Sequence, residues 1–336
     1  MARGTYADRY DSADIVEYDP RPARRYDRYL DAALSRAGAP RLAARRVLAP
    51  TLGAQHRLPP SVVLAHNAPA LVPLVDDNHH RPVLYAHNHV LRTYSAREAR
   101  RVLGSAELVV CVSDFLADQV RSDLPTDLRA RVVTVRNGVD LAQFALPRPP
   151  RGGPLRVAYV GRVIPDKGVH VLLDAVASLR RRDLELTVVG RPGFAADAPL
   201  TEYERGLRRR AAETVSPVRF TSFVPRAGLA AILARTDVVV VPSIWDEPFG
   251  LTALEGMAAG AAVVASSAGG LPEAVGDAGF LVAPGDRDGL SVILAALADD
   301  EAALTAAASR AREHVGRCTW ELRASELDRA LAVGAT

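Results

Sequence analysis

Glu247-Pro-Phe-Gly-Leu-Thr-Ala-Leu-Glu-Gly-Met-Ala-Ala-Gly260 is the stretch from which the rest of the chain is read. Two carboxylates, Glu247 and Glu255, stand eight residues apart. The first lies before a Pro-Phe-Gly turn, the second inside the short Ala/Leu helix that the turn opens. An apolar strand, Val238–Val241, and the pair Pro242-Ser243 come just before; a second apolar strand, Ala261–Ala265, follows the Gly260 stop. Strand, loop, helix and strand in that order make a crossover unit of a parallel sheet. The loop then opens at the carboxyl ends of the strands, where open α/β sheets bind ligands. Glu247 in the loop and Glu255 on the first turns of the helix can both face that crevice. The amides of Phe249, Gly250 and Leu251 lie at a helix N-terminus, which favours anions. Carboxylates that accept sugar hydroxyls, beside amides that receive a phosphate, suit a nucleotide-sugar.

Outward from this segment, strand and helix alternate. Upstream come strand Val157–Val160, helix Val169–Arg181, strand Glu185–Val189, helix Glu202–Glu213, strand Val218–Phe220 and helix Ala227–Ala234. Val169, Leu172, Leu173, Val176 and Leu179 recur at helical spacing and form one apolar stripe. Such alternation means a parallel, doubly wound sheet. The run Pro147–Pro154, with four prolines and two glycines, reads as an interdomain linker. Before it lie short strands at Val62–Ala65, Pro82–Ala86, Leu108–Val112 and Val132–Val135, with helices at Arg97–Val102 and Phe115–Val120. Residues 1–58 are polar and Arg/Tyr-rich at first, then helical through Tyr26–Val47; Ala302–His314 and Glu321–Leu331 read as terminal helices.

With 336 residues the chain can hold two domains, each with its own core. The apolar fraction of 49% is ordinary for a soluble globular protein, and no apolar run is long enough to span a bilayer. Cys111 and Cys318 sit in apolar or helical surroundings, as expected of reduced thiols in a cytoplasm, and no Cys/His spacing suggests zinc. The net charge of +3 gathers in arginine clusters at 24–25, 45–46, 100–101, 180–182 and 208–210. These read first as solvated helix ends; the sharper reading is attraction to anionic lipid headgroups at the inner membrane face. Nucleic acid is not expected, since no recognition motif is present and aromatics are only 5%.

Gly161 follows a strand, and Arg162 and Lys167 flank the loop it opens. Arg binds a diphosphate in a forked, bidentate way, and Lys acts as a point charge. Alone, the pair would read as two solvated surface charges. His66 and His87 each end a strand; His87 opens a His-Asn-His run with Asn88 and His89. The loop Asp76-Asp-Asn-His-His80 reads as a solvated turn rather than a metal site.

Five segments in order carry a family resemblance: Arg136–Asp140 (Arg-Asn-Gly-Val-Asp), Val157–Gly168, Asp237–Ser243, the Glu-x7-Glu of Glu247–Glu255, and Gly269–Glu273 (Gly-Gly-Leu-Pro-Glu). Within about residues 105–290 the chain resembles retaining glycosyltransferases of the GT-B fold, of the family 4 or group 1 type. That resemblance implies two Rossmann-like, doubly wound parallel-sheet domains facing a cleft, the N-terminal one shortened. The expected domains are residues 1–148 on the acceptor side and residues 149–318 for the donor, with helix 319–336 packing back on the first. It implies transfer of a sugar, first of all from a UDP-sugar, to an acceptor hydroxyl with retention. Neither cofactor nor metal ion is implied, because Arg162 and Lys167 neutralise the leaving diphosphate.

By the same resemblance Glu247 holds hydroxyls of the donor sugar and Glu255 those of the ribose. The base lies against backbone near Arg191 and Thr221–Val224. His87 borders the reacting carbon, with His66, Asn67 and Asn88 on the acceptor side. Residues 1–20 lack the family's opening strand and glycine-rich loop, of which Gly4-Thr5 is the only trace. Remodelling, a misassigned start or loss of part of the site would each account for this. Two alternatives stay open: a nucleotide-sugar-binding partner subunit without full activity, and a GT-B epimerase. A dinucleotide oxidoreductase is disfavoured, because no strand runs into Gly-x-Gly-x-x-Gly.

Overall fold

The computed structural model describes residues 27–36, 41–53, 55–193 and 198–333. The expectations for residues 1–20 and for Arg24-Arg25 lie outside the described residues. Chain contacts divide it into two compact units, 1–135 with 328–336, and 136–327.

In the second unit six strands form one parallel sheet: β5 (Leu155–Val160), β6 (Leu184–Val189), β7 (Val218–Thr221), β8 (Val238–Val241), β9 (Ala262–Ser266) and β10 (Phe280–Val282). Their order is β10-β9-β8-β5-β6-β7. The chain builds outward from β5 through β6 to β7, then crosses back and builds the other way from β8. The winding therefore reverses between β5 and β8, which pair at Val157 with Val238 and Ala158 with Val239. All four valines of β8 are buried, the continuous apolar run that a strand covered on both faces requires. Each contributes roughly 1.5–3 kcal/mol of hydrophobic stabilisation. Helix Val169–Leu179 turns its predicted stripe into this core, where Val169, Leu172, Leu173 and Val176 are wholly buried. Thr201 and Glu204 cap helix Glu202–Ala212 reciprocally, each side chain bonding the other's amide.

Four strands make the first unit's sheet: β1 (Val62–His66), β2 (Arg81–Ala86), β3 (Leu108–Cys111) and β4 (Val132–Thr134), parallel throughout. Among the described residues they follow chain order, β1-β2-β3-β4, with no reversal. Ser95 and Ser113 accept from Glu98 and Leu116 amides to start helices Ala96–Leu103 and Asp114–Asp123. Cys111 and Cys318 are separate buried thiols, and burial pushes Cys111 up to about 12.

Several expectations need correction. The helix expected through Tyr26–Val47 is two helices, Asp27–Arg36 and Leu42–Leu48. By chain contacts, the compact units part after Val135. The segment that follows is held on the second unit: Arg136 pairs with Glu273 at 3.0 Å, Phe144 is buried, and Arg148 donates to the Thr236 and Ala259 carbonyls at 2.7 Å each. The last helix, Trp320–Val333, is likewise divided: only its end, from Asp328, groups with the first unit, where Arg81 bonds the Leu331 carbonyl. Helix Arg287–Asp299 is an element that the sequence reading lacks, although Leu290, Leu294 and Leu297 bury one face of it. His80 is buried, not solvated, and its Nε2 lies 3.0 Å from the Gln55 carbonyl. No helix among the described residues is long and apolar enough to cross a membrane.

Candidate active site

The loops that leave β5 and β8 flank the point of reversal, and glycines let them interlock. Gly161 turns the chain out of β5 with φ +155°, and Gly190 after β6, at φ +131°, lies so close that a Cβ would fall 2.0 Å from the Gly161 carbonyl oxygen. Gly168, at φ +67°, starts helix Val169–Leu179; a Cβ there would lie 1.8 Å from the Pro242 carbonyl oxygen. The turn before it is tied to the loop after β8, for Ile244 N–H donates to the Asp166 carbonyl at 2.9 Å. Lys167, between these two anchors, has its backbone fixed from both sides.

Glu247 is fixed as firmly from the loop after β9. It makes a parallel bridge with Gly269, and its carbonyl accepts from Gly270 N–H at 2.6 Å. Gly269 has φ +59°, and a Cβ there would meet the Glu247 backbone oxygen at 2.2 Å. The glycines of the Gly-Gly-Leu-Pro-Glu segment thus let one loop lie flat on the other. With both backbones held, Lys167 Nζ lies 2.5 Å from Glu247 Oε1, and the Ser243 hydroxyl donates to the same oxygen. Lys167 also lies 5.2 Å from the centre of the partly exposed Trp245 ring. Beneath the pair, Tyr159 is buried and donates to the Arg162 carbonyl at 2.6 Å; burial, then the Glu247 charge, pushes its phenol up.

The structure places the remaining residues of the second unit as follows. Arg162 is exposed on the β5 loop. Phe249 is buried, and Gly250 at φ +125° opens helix Leu251–Ala258, so the amides of 249–251 lie at its start. Glu255 is half-buried in that helix. The Arg191 guanidinium pairs with buried Glu204 at 2.9 Å, while its backbone carbonyl, the part expected near the base, accepts from Val163 N–H at 3.1 Å. Ser243 and Tyr159 join the site without having been expected there; the signal for Ser243 is its place just after a buried strand.

In the first unit the register of β1 on β2 sets His66 opposite Tyr85. His87 follows two residues later, and the planes of the three rings run within 15–26° of one another at centroid distances of 4.8–5.1 Å. His66 Nδ1 lies 2.7 Å from His87 Nε2. Asn67 adopts φ +52°, a conformation that asparagine tolerates. Its side-chain oxygen accepts from the His87 and Asn88 amides at 2.7 and 3.2 Å. His66, Asn67, His87 and Asn88 are thus one cluster. His89 is apart, with Nε2 2.6 Å from Asp123. Burial, then the neighbouring His66, lowers His87 to about 4, and burial lowers His66 as well. Both shifts favour the neutral imidazole. Among the described residues no group of three His, Cys, Asp or Glu side chains could hold a metal ion.

Two parallel α/β units, with a paired lysine and glutamate where the second sheet reverses, define the GT-B class. Comparison with known proteins narrows this. The family described as Glycosyltransferase Family 4 matches residues 5–143, and the one described as Glycosyl transferases group 1 matches residues 154–300. The chain belongs to glycosyltransferase family 4. The seam between the two matches falls on the proline-rich segment, later than the seam in the contacts. The glycogen synthase of Mycobacterium tuberculosis is 36% identical over 229 residues, 67% of this chain and 53% of that protein. The phosphatidyl-myo-inositol mannosyltransferase of Mycolicibacterium smegmatis is 35% identical over 229 residues, 66% of this chain and 55% of that protein. The chain spans about half the length of these curated relatives. Among solved structures, Anabaena HepE in complex with UDP and glucose shares the fold at a TM-score of 0.70 and 21% identity, over 85% of this chain and 81% of that one.

Proposed function

We propose that the chain moves a sugar from a nucleoside diphosphate sugar to an acceptor hydroxyl, with retention of configuration and without a metal ion. The observation that carries this reading is the Lys167–Glu247 pair, 2.5 Å apart where the second sheet reverses its winding. A diphosphate entering there meets the Lys167 ammonium, the Arg162 guanidinium and the amides at the start of helix Leu251–Ala258. These donors stabilise the charge that develops on the leaving phosphate. Glu247 and Glu255 accept hydroxyls of sugar and ribose. No residue is assigned as a covalent nucleophile. The acceptor oxygen bonds to the anomeric carbon on the face from which the phosphate oxygen departs, and that phosphate oxygen takes the acceptor's proton. His87, with His66, Asn67 and Asn88, serves the hydroxyl side of the reaction.

Calorimetric titration with UDP, ADP, GDP and TDP, then with the matching sugars, tests the reading on wild type, Lys167→Ala and Glu255→Ala. Selective binding of one diphosphate, lost in both variants, supports it; folded protein that binds none sinks it. Transfer run in EDTA with a labelled donor then reports metal dependence and anomeric configuration. Donor converted without any acceptor would favour an epimerase instead, and binding without turnover a partner subunit.

A further inference from the structure

The two histidines of the first unit carry more than a general acceptor role. His66 is exposed at the end of β1, and His87 is partly buried just past β2. Their rings lie 15° from coplanar, with Nδ1 of one 2.7 Å from Nε2 of the other. Two neutral imidazoles in that contact share one N–H, because each ring carries one proton and one bare nitrogen. There are two arrangements. Either His87 Nε2–H donates and both rings carry their proton on Nε2, or His66 Nδ1–H donates and both carry it on Nδ1. Neutral histidine side chains favour the Nε2 proton in water, so the first arrangement satisfies both rings at once. In either case His87 Nε2 is committed, and only Nδ1 remains for a ligand. The rest of the setting keeps the ring still: Tyr85 stacks on both imidazoles, and the Asn67 side chain holds the His87 amide.

We infer that His66 is the positioning residue of His87: its Nδ1 accepts from His87 Nε2–H, fixes the ring's orientation and tautomer, and leaves His87 Nδ1 bare to accept from a substrate hydroxyl. The inference rests on the proposed function for its consequence, the transfer rate, but not for the bond itself. The supporting groups are all local to the first unit, so the bond can be measured without substrate.

The full-length protein, labelled with 15N at its eight histidines, tests both parts. Wild type should show a 15N–15N coupling across the hydrogen bond from His87 Nε2 to His66 Nδ1, with His87 in the Nε2–H form. His66→Ala should remove the coupling and expose that proton to rapid exchange. With a donor identified by calorimetry, His66→Ala should lower kcat roughly tenfold at unchanged donor KM, the scale of one orienting hydrogen bond. His66→Asn should restore most of the rate, because its amide oxygen can take the place of Nδ1; a purely structural role would not distinguish Asn from Ala. Absence of the coupling in wild type, or equal rates in His66→Ala and wild type, overturns the inference. Wild type that transfers from no donor sinks the transferase reading instead, and the coupling alone then decides the pair.

Discussion

The two units meet the same problem, holding reactive groups still at the ends of parallel strands, with opposite chemistry. In the second unit the fixed groups are charged: Lys167 and Glu247 face each other at 2.5 Å, and glycines at 168 and 269 hold the two backbones. In the first unit they are neutral: His66 and His87 share a 2.7 Å contact, and Asn67 and Tyr85 hold the rings. Lys167 and Glu247 form a partly buried ion pair, in which each charge offsets the other's cost of leaving water. At the two imidazoles burial disfavours the charged form, and at His87 the neighbouring His66 adds to this.

The largest effect should come from breaking the backbone lock on the charged pair. Gly168→Ala places a Cβ 1.8 Å from the Pro242 carbonyl oxygen at a backbone φ of +67°. The expected loss is about 3–5 kcal/mol of stability, with nucleotide binding abolished. Chemical denaturation followed by calorimetry checks both; a variant that binds and unfolds like wild type would show that the loops are not interlocked in solution. Lys167→Met leaves the backbone intact and should weaken diphosphate binding by about 2–3 kcal/mol, on the order of a hundredfold in Kd. If His66→Ala weakens that binding as much, the division of labour between the units fails.

The neutral pair should show itself through pH. The folded value of His87, about 4, lies below the ordinary 6.5. Between those values the unfolded chain binds more protons, so stability rises with pH. The contribution is complete above about pH 6.5 and is lost as pH falls towards 4. Its size is about 1–2 kcal/mol, because the ring is only partly screened from water. Urea denaturation of wild type and His87→Asn at pH 7 and pH 4.5 measures it, and the variant should lose less on acidification. The smallest effect is the control for the glycine locks. A Cβ on Gly152 meets nothing within 4 Å, so Gly152→Ala should change the unfolding free energy by no more than about 0.5 kcal/mol.

Much of the second unit is legible in the sequence because its signals are local. The valine run of β8, the apolar stripe of helix Val169–Leu179 and the Pro-Phe-Gly turn each announce an element within a few residues. Helix Arg287–Asp299 carries a similar stripe but lies beyond the motif segments, and it enters only with the structure. The place of Arg191 after a strand locates its backbone; its side chain goes to Glu204, buried at the cap of another helix. The polar neighbours of His80 suggest a solvated ring, while its burial depends on Gln55.

By itself the sequence determined the alternation of strand and helix, the crossover that carries Glu247 and Glu255, and the residue types suited to a diphosphate and a sugar. Tertiary structure alone decided that β8 lies beside β5, which brings Lys167 within 2.5 Å of a carboxylate eighty residues away. It also decided that β1 lies beside β2 in the register that joins His66 to His87. The physical reason is common to both. Periodicity and turn chemistry act over one element, whereas neighbours across a sheet follow from strand order, and strand order is set by how whole apolar faces find cover.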